Sequence, residues 1–464
     1  MSKIAESSTQ RTTSRSAPFR NIPVDILSHI FFWARHKQAA QSGGNSRFYF
    51  LPPTRALMVV CRDWYAVLER HCRLYTTLVV QVEYMVGGRV MNAEAMQTVL
   101  ARSGQCLLDV IVVPPYELIH GPHASTTPFD SIPWLMSNGL PARCKTLAFA
   151  MPEYPGENFF SLPSTIALPR LEEISISNFN DHHVSMEAFL GAPTLKRLSI
   201  SYATEFFKAG RPVVQNIPWT NLQVIHFIES PCSPSDLYTL IQLSTSLTEL
   251  KILCRDDGTY RPMPVVNTTL HTFHVKYKWE GPIDDRLFGI FELYTLSSLS
   301  SLGIYTKQVW WGSSRHRLNY MPSIVQNHPW VESFAIGGLD IEAAVLADSL
   351  ARIPRLKTLS LGRFEQKGHM IATWYPSAFL TALVSAICPC LEKLVLIGAR
   401  GTMSSLRTFA RNRVRLRMIE LQEWQYREAK YELRWLQEGG RVRVLATKAA
   451  FHELEGGGWL GNCM

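Results

Sequence analysis

At 464 residues the chain exceeds one ordinary domain, so two units, or one small unit with a repeat array behind it, are expected. Hydrophobic residues make up 46% and charged residues 18%, a balance that excludes a wholly disordered chain. The longest apolar runs, such as "IFFWA" and "VIVVPPY", fall far short of the roughly 18 residues that cross a bilayer, so no membrane span is expected. The formal charge of +9 is local, because twelve Lys/Arg and five Asp/Glu lie between Arg400 and Lys448.

Nine cysteines stand at scattered positions behind no apolar leader, a usage that fits a reducing compartment and a cytoplasmic or nuclear location. Residues 1 to 18 are rich in Ser, Thr and Arg with little to bury, so they read as a disordered tail, without the amphipathic face of a mitochondrial presequence.

The first elements are helical. In "NIPVDILSHIFFWARH" the apolar positions 23, 26, 27, 30, 31 and 34 form one stripe, with Pro23 suited to the first helical position and Asp25 to the N-terminal end of the dipole. A polar connector at 37 to 47 follows. "PPTRALMVVCRDWYAVLERHC" then repeats the pattern, with Leu57, Val60, Cys61, Trp64 and Leu68 on one face. "RLYTTLVV" at 73 to 80 leads into strand-like sequence.

The order Ile22-Pro23, Ile26-Leu27, Ile30-Phe31, then "VCRDW" at 60 to 64, then Leu74-Tyr75 and Leu78 resembles an F-box, in the variety common in mushroom-forming fungi. It departs from the family at Ile22, where Leu is usual, at Tyr75, where Trp is usual, and in its longer connector. The resemblance implies that residues 19 to 80 dock on the Skp adaptor, and through it on the cullin, of an SCF-type ubiquitin ligase. Ile22, Pro23, Ile26, Leu27, Ile30, Phe31, Val60, Cys61 and Trp64 would make that contact. A helical hairpin of this size has little core of its own and is expected to leave apolar surface for a partner.

Behind it a phrase L-x-x-Φ-x-Φ, with Φ apolar, recurs ten times. It begins at Leu171, Leu195, Leu222, Leu247, Leu270, Leu299, Val331, Leu356, Leu391 and Leu416, at intervals of 23 to 35 residues, and degenerate copies begin at Leu107 and Cys144. The last two apolar residues of each phrase lie two apart, so in a strand they share a face. One strand per phrase, stacked in parallel, is the expected result, with Leu359, Leu361, Leu394 and Leu396 pointing inward. Residues 233 to 246 and 377 to 388 have helical spacing between phrases, with Ser235 or Asp236 as the cap of the first. The array resembles leucine-rich repeats of irregular length. The family's Asn two residues past the phrase is missing, since Phe179, Ala203, Ser230, Arg255, Lys278, Phe364, Ala399 and Trp424 stand there.

In "ARNRVRLR", Arg411, Arg413, Arg415 and Arg417 alternate, so an extended backbone would put them on one face, as a patch for an acidic or phosphorylated ligand. "GGRVRVLA" at 439 to 446 reads as a helix stop and a closing strand with Val442 and Val444 on one face. "GGGWLG" near the end of the sequence lacks the strand and helix that a dinucleotide site needs. Cys388 and Cys390 have no second ligand pair at zinc spacing, and His271 and His274 fall on opposite sides of a strand. No catalytic, metal or cofactor motif is found, so a non-enzyme is expected.

The fold expected is therefore α/β, a helical F-box followed by an irregular leucine-rich-repeat-like solenoid with a parallel sheet. The divisions are 1–18 tail, 19–80 F-box, 81–448 repeats and 449–464 flexible tail. The leading functional expectation is a substrate-recognition subunit binding an unknown protein. The rival is a scaffold that binds acidic protein or nucleic acid through the basic C-terminal quarter.

Overall fold

The computed structural model describes residues 72–83, 89–90, 93–113, 139–150, 160–161, 167–177, 184–185, 192–201, 217–255, 264–279, 294–308, 317–318, 323–337, 340–341, 343–362, 373–374, 387–397, 399–400, 403–422 and 442–447. Pro23, Ile26, Trp64, Tyr65, Leu380, Arg427 and Arg434 are described singly. Both sequence-expected tails, most of residues 19 to 71 and most of 377 to 388 lie outside this set.

The protein is α/β, and its described residues are built on a 15-stranded sheet. Its strands are β1 Thr77–Glu83, β2 Arg89–Val90, β3 Leu108–Val113, β4 Cys144–Ala150, β5 Glu173–Ser177, β6 Arg197–Ser201, β7 Val224–Cys232 and β8 Glu249–Arg255. They continue with β9 Thr272–Trp279, β10 Ser301–Gln308, β11 Ser333–Gly337, β12 Thr358–Gly362, β13 Lys393–Ile397, β14 Met418–Gln422 and β15 Arg443–Thr447. β2 runs antiparallel to β1 at one edge, and every other pairing in the sheet is parallel. From β3 onward each strand pairs with its neighbours in sequence, so each L-x-x-Φ-x-Φ phrase has become one strand. Residues 77 to 80, counted with the helical unit by sequence, pair with β3 and so belong to the sheet.

Register explains why the phrase repeats. Leu78, Val110, Leu147, Ile174, Leu198, Ile225, Leu250, Phe273, Leu302, Phe334, Leu359, Leu394, Ile419 and Val444 are register partners in one row from β1 to β15. None is more than 5% exposed. Each between Leu78 and Val444 meets an apolar register partner on both sides, and burying each contributes roughly 1.5 to 3 kcal/mol. The second row from Ile176 to Leu421, which includes Leu361 and Leu396, and the first residue of each of the ten phrases from Leu171 to Leu416 are also buried. The inward expectation for Leu359, Leu361, Leu394 and Leu396 holds, and so does the closing strand, where Val442 and Val444 are buried and Arg443 is exposed.

Main-chain bonds tie successive phrases where the strands begin. The Glu172 carbonyl accepts from both Lys196 N (2.8 Å) and Arg197 N (3.0 Å), and the same fork recurs at Lys196, Gln223, Thr248, His271, Ser300, Glu332, Lys357 and Glu392. A carbonyl has two lone pairs, and here both are used.

The second layer is formed between phrases. It includes helices α1 Ala93–Ser103, α2 Pro234–Leu243, α3 Ser323–Asn327, α4 Ala343–Ala351 and α5 Met403–Asn412. In α2 the cap is Ser233 rather than Ser235 or Asp236. Its hydroxyl accepts from Asp236 N (3.1 Å) while the Asp236 carboxylate accepts from Ser233 N (3.1 Å), so Asp236 is the third residue of a capping box. Two-residue parallel pairings, such as Val265–Val266 with Tyr294–Thr295, link this layer from one phrase to the next.

Candidate functional site

The residues between the apolar positions of each phrase turn to the other face of the sheet. There Ala148, Ser175, Ser199, His226, Lys251, His274, Gly303, Ala335, Ser360, Val395, Glu420 and Leu445 are register partners across β4 to β15. Small residues stand toward either side, and the chemistry is concentrated on β7 to β10.

His226 on β7 is 1% exposed, and its Nε2 lies 3.1 Å from Glu249 Oε1 on β8. The same oxygen accepts from Lys251 Nζ at 2.9 Å. Burial lowers the His226 pKa to about 4, although the hydrogen bond to Glu249 opposes it. That bond, with Lys251 adding to it and burial opposing, lowers the Glu249 pKa to about 2. At neutral pH the imidazole is therefore uncharged and donates through Nε2–H to an anionic carboxylate that also holds the ammonium. Glu249 is a poor base in this setting, because two donors already occupy it.

His274 on β9 lies with Nε2 3.2 Å from Ser301 Oγ on β10. Burial, with the positive charge of Lys251 adding, lowers its pKa to about 3. The Tyr305 ring meets it edge-on, with centroids 5.9 Å apart and planes at 69°. This packing requires glycine at 303, since a Cβ there would lie 2.8 Å from the Tyr305 ring and hydroxyl and 2.9 Å from His274 Cδ2. The carboxylate bonds one imidazole and the serine hydroxyl the other, so no relay runs from Ser301 through a histidine to Glu249. Tyr305 also closes a small buried apolar cluster with Ala335, Val395 and Ile397 on this face. A ligand here would meet the Lys251 ammonium and the Glu249 carboxylate, both partly exposed, with the His226 imidazole buried beneath them.

The residues expected from sequence fare unevenly. Ile22, Leu27, Ile30, Phe31, Val60 and Cys61 lie outside the described residues. Pro23 is exposed, Ile26 is helical and 48% exposed, and Trp64 is helical and half-buried. The four arginines do not share a face, because the backbone is not extended: Arg411 sits in α5 and Arg413 to Arg417 precede β14. Arg411, Arg415 and Arg417 are exposed, and Arg415 NH1 approaches Cys390 Sγ at 3.3 Å. Arg413 is buried and donates to the carbonyls of Cys388 (2.8 Å) and Ile387. It braces the turn at Cys388, which has a left-handed φ of 52°. His271 is exposed against the Ser298 carbonyl (2.9 Å), apart from His274.

Sequence reading missed the position three residues before each phrase. Leu168, Ala192, Trp219, Leu296, Ile353 and Cys388 are buried there, and four polar residues, Ser244, Asn267, His328 and Arg413, take the same place. Three of the four brace a turn through the side chain: Asn267 Oδ1 accepts from Leu270 N (2.8 Å) and Thr269 N (3.0 Å), His328 Nε2 accepts from Leu296 N (3.0 Å), and Arg413 donates to the Cys388 carbonyl (2.8 Å). Where the regular Asn is absent after the strand, side-chain bonds brace the turn before it. A polar residue at an otherwise apolar periodic position was the available signal.

No protein-family model matches the chain, and no curated protein is similar to it.

Proposed function

We propose that this chain is an F-box substrate-recognition subunit of an SCF-type ubiquitin ligase. Residues 19 to 80 dock on the Skp adaptor, and an irregular leucine-rich-repeat-like solenoid with its parallel sheet holds a protein substrate on its polar face. The observation that carries this reading is the motif order, from Ile22-Pro23 through "VCRDW" to Leu78, set directly before a stack of phrase-built strands. The exposed Ile26 supports it, as an apolar side chain available to a partner. Catalysis would come from the other subunits, and this chain would supply proximity.

The test is co-purification with the adaptor at moderate salt, comparing the full-length protein with the Ile26→Asp/Leu27→Asp double variant. Apolar docking withstands salt, whereas a buried unpaired carboxylate costs several kcal/mol, so the variant is expected to lose the adaptor at least 100-fold. Its unfolding midpoint should stay unchanged. Adaptor recovery equal to that of the unaltered chain would overturn the assignment.

A further inference from the structure

Two short segments meet at the start of the sheet, each carrying a thiol. Cys72 opens the 3₁₀ turn Cys72–Tyr75 that feeds β1, and Cys106 lies between α1 and β3. The Cys106 thiol donates to Cys72 Sγ at 3.0 Å, about 1 Å longer than a disulfide bond. Both thiols are free and half-buried, so solvent reaches them.

The backbones around the pair are held independently of it. Arg102 at the end of α1 donates to the Tyr75 hydroxyl (3.2 Å) and covers its ring at 5.4 Å. Arg143 donates through Nε to the Cys106 carbonyl (3.1 Å) and through NH2 to Ser103 Oγ (2.5 Å). Asp109 N donates to the Thr76 carbonyl (2.7 Å), fixing β1 beside β3. Closing the last ångström therefore asks for rotation about side-chain bonds, not for movement of an element.

We propose that Cys72 and Cys106 are a modification site, a thiol pair that a hydroperoxide converts to an intrachain disulfide. One thiolate attacks the peroxide, forming a sulfenic acid and releasing an alcohol, or water when the oxidant is hydrogen peroxide. The second thiol then attacks the sulfenic sulfur, the S–S bond forms, and water leaves with the hydroxyl. In sum, two thiols and one peroxide give one disulfide, one alcohol and one water. A dithiol reductant reverses it by exchange. The bond joins the turn ahead of β1 to the segment between α1 and β3.

Reaction rate is set by the thiolate. The neighbouring Cys72 and partial burial raise the Cys106 pKa, with Arg143 and Arg73 opposing, so oxidation quickens as pH rises above neutrality. Another close pair among the described residues is a built-in control. Cys232 and Cys254 are register partners on β7 and β8, but both are buried in the core, where a peroxide does not reach.

The experiment treats the reduced full-length protein with hydrogen peroxide at pH 7 and pH 8, blocks remaining thiols with iodoacetamide, and maps unreduced peptides by mass spectrometry. A Cys72–Cys106 linked pair is expected as the main product, forming up to about 10-fold faster at the higher pH and reversed by dithiothreitol. Cys232, Cys254 and Cys388 should be alkylated only after unfolding. In the Cys72→Ser variant the remaining Cys106 should be captured as sulfenic acid by dimedone. Should that variant not fold, the map of the unaltered chain still decides. Full alkylation of Cys72 and Cys106 after peroxide, links spread over all cysteines, or links only between molecules would overturn the proposal.

Discussion

The two faces of the sheet are made from the same strands in the same register, yet they obey different rules. On the inner face, every residue of the row from Leu78 to Val444 packs on a neighbour of its own kind, so one solution is repeated along the sheet. On the outer face, the adjacent row passes from serine through His226, Lys251 and His274 to Gly303, Ala335 and Val395, each answering a local neighbour. Repetition marks what the fold needs. Variation marks where binding is free to differ.

The sharpest way to break this contrast is to compare neighbouring residues on one strand. Leu359 is fully buried and Ser360 half-buried on the opposite face of β12. Leu359→Ala should cost about 2 to 5 kcal/mol, as core truncations do, whereas Ser360→Ala should stay within about 0.5 kcal/mol. Denaturant unfolding of the two variants measures the difference. Similar losses at both positions would mean that the outer face is a second core.

Acid should act next most strongly, and through the outer face. Unfolded His226 takes a proton near 6.5, while the folded residue does so only at about 4, so the unfolded chain binds more protons in between. Its contribution is complete above pH 6.5 and is lost as pH falls from there toward 4, on the order of 3 kcal/mol. Glu249, lowered from 4.5 to about 2, extends the loss below pH 4.5 with the same sign. His274, lowered to about 3, adds a loss of the same sign over the same range, so His226→Gln should make the slope between pH 6.5 and 4 about half as steep. A slope in that window as steep as in the unaltered chain would show that the imidazole titrates normally.

The contrast also explains what was readable beforehand. All twelve phrases became strands because a period of two and a leading leucine are visible in one dimension. The arginines at 411 to 417 alternate without being extended, because the end of α5 and a turn occupy that stretch. Arg413 holds a place filled elsewhere by Leu168 or Ile353, and it satisfies carbonyls from an earlier turn 25 residues back. The pairings of His226 with Glu249 and of His274 with Ser301 depend on register between strands that no single phrase contains. Outer-face chemistry is fixed by neighbours in space, and periodicity carries no record of them.

Gly303 is where the two faces can be set against each other within one phrase. In "LSSLGI" it looks like a weak point in a strand, flanked by the buried Leu302 and Ile304. The inner face has no need of it, because its Cα hydrogens point the other way, beneath the Tyr305 ring. Gly303→Ala would place a methyl group 2.8 Å from that ring and 2.9 Å from His274, so both rings must move and the His274–Ser301 bond of 3.2 Å is disturbed. Overpacking of this kind costs about 1 to 3 kcal/mol. Because both obstacles are side chains and not backbone, removing Tyr305 should remove the penalty, by taking away one and giving the His274 ring room to turn from the other. In a Tyr305→Ala background the same Gly303→Ala change is expected to be neutral or slightly stabilising, since alanine suits a strand better than glycine. The four-variant cycle, read by denaturant unfolding, isolates that coupling. A Gly303→Ala cost that persists in full without Tyr305 would place the constraint at the His274 ring, 2.9 Å from the added carbon, and the outer face at β10 would then be held by the imidazole rather than by the tyrosine.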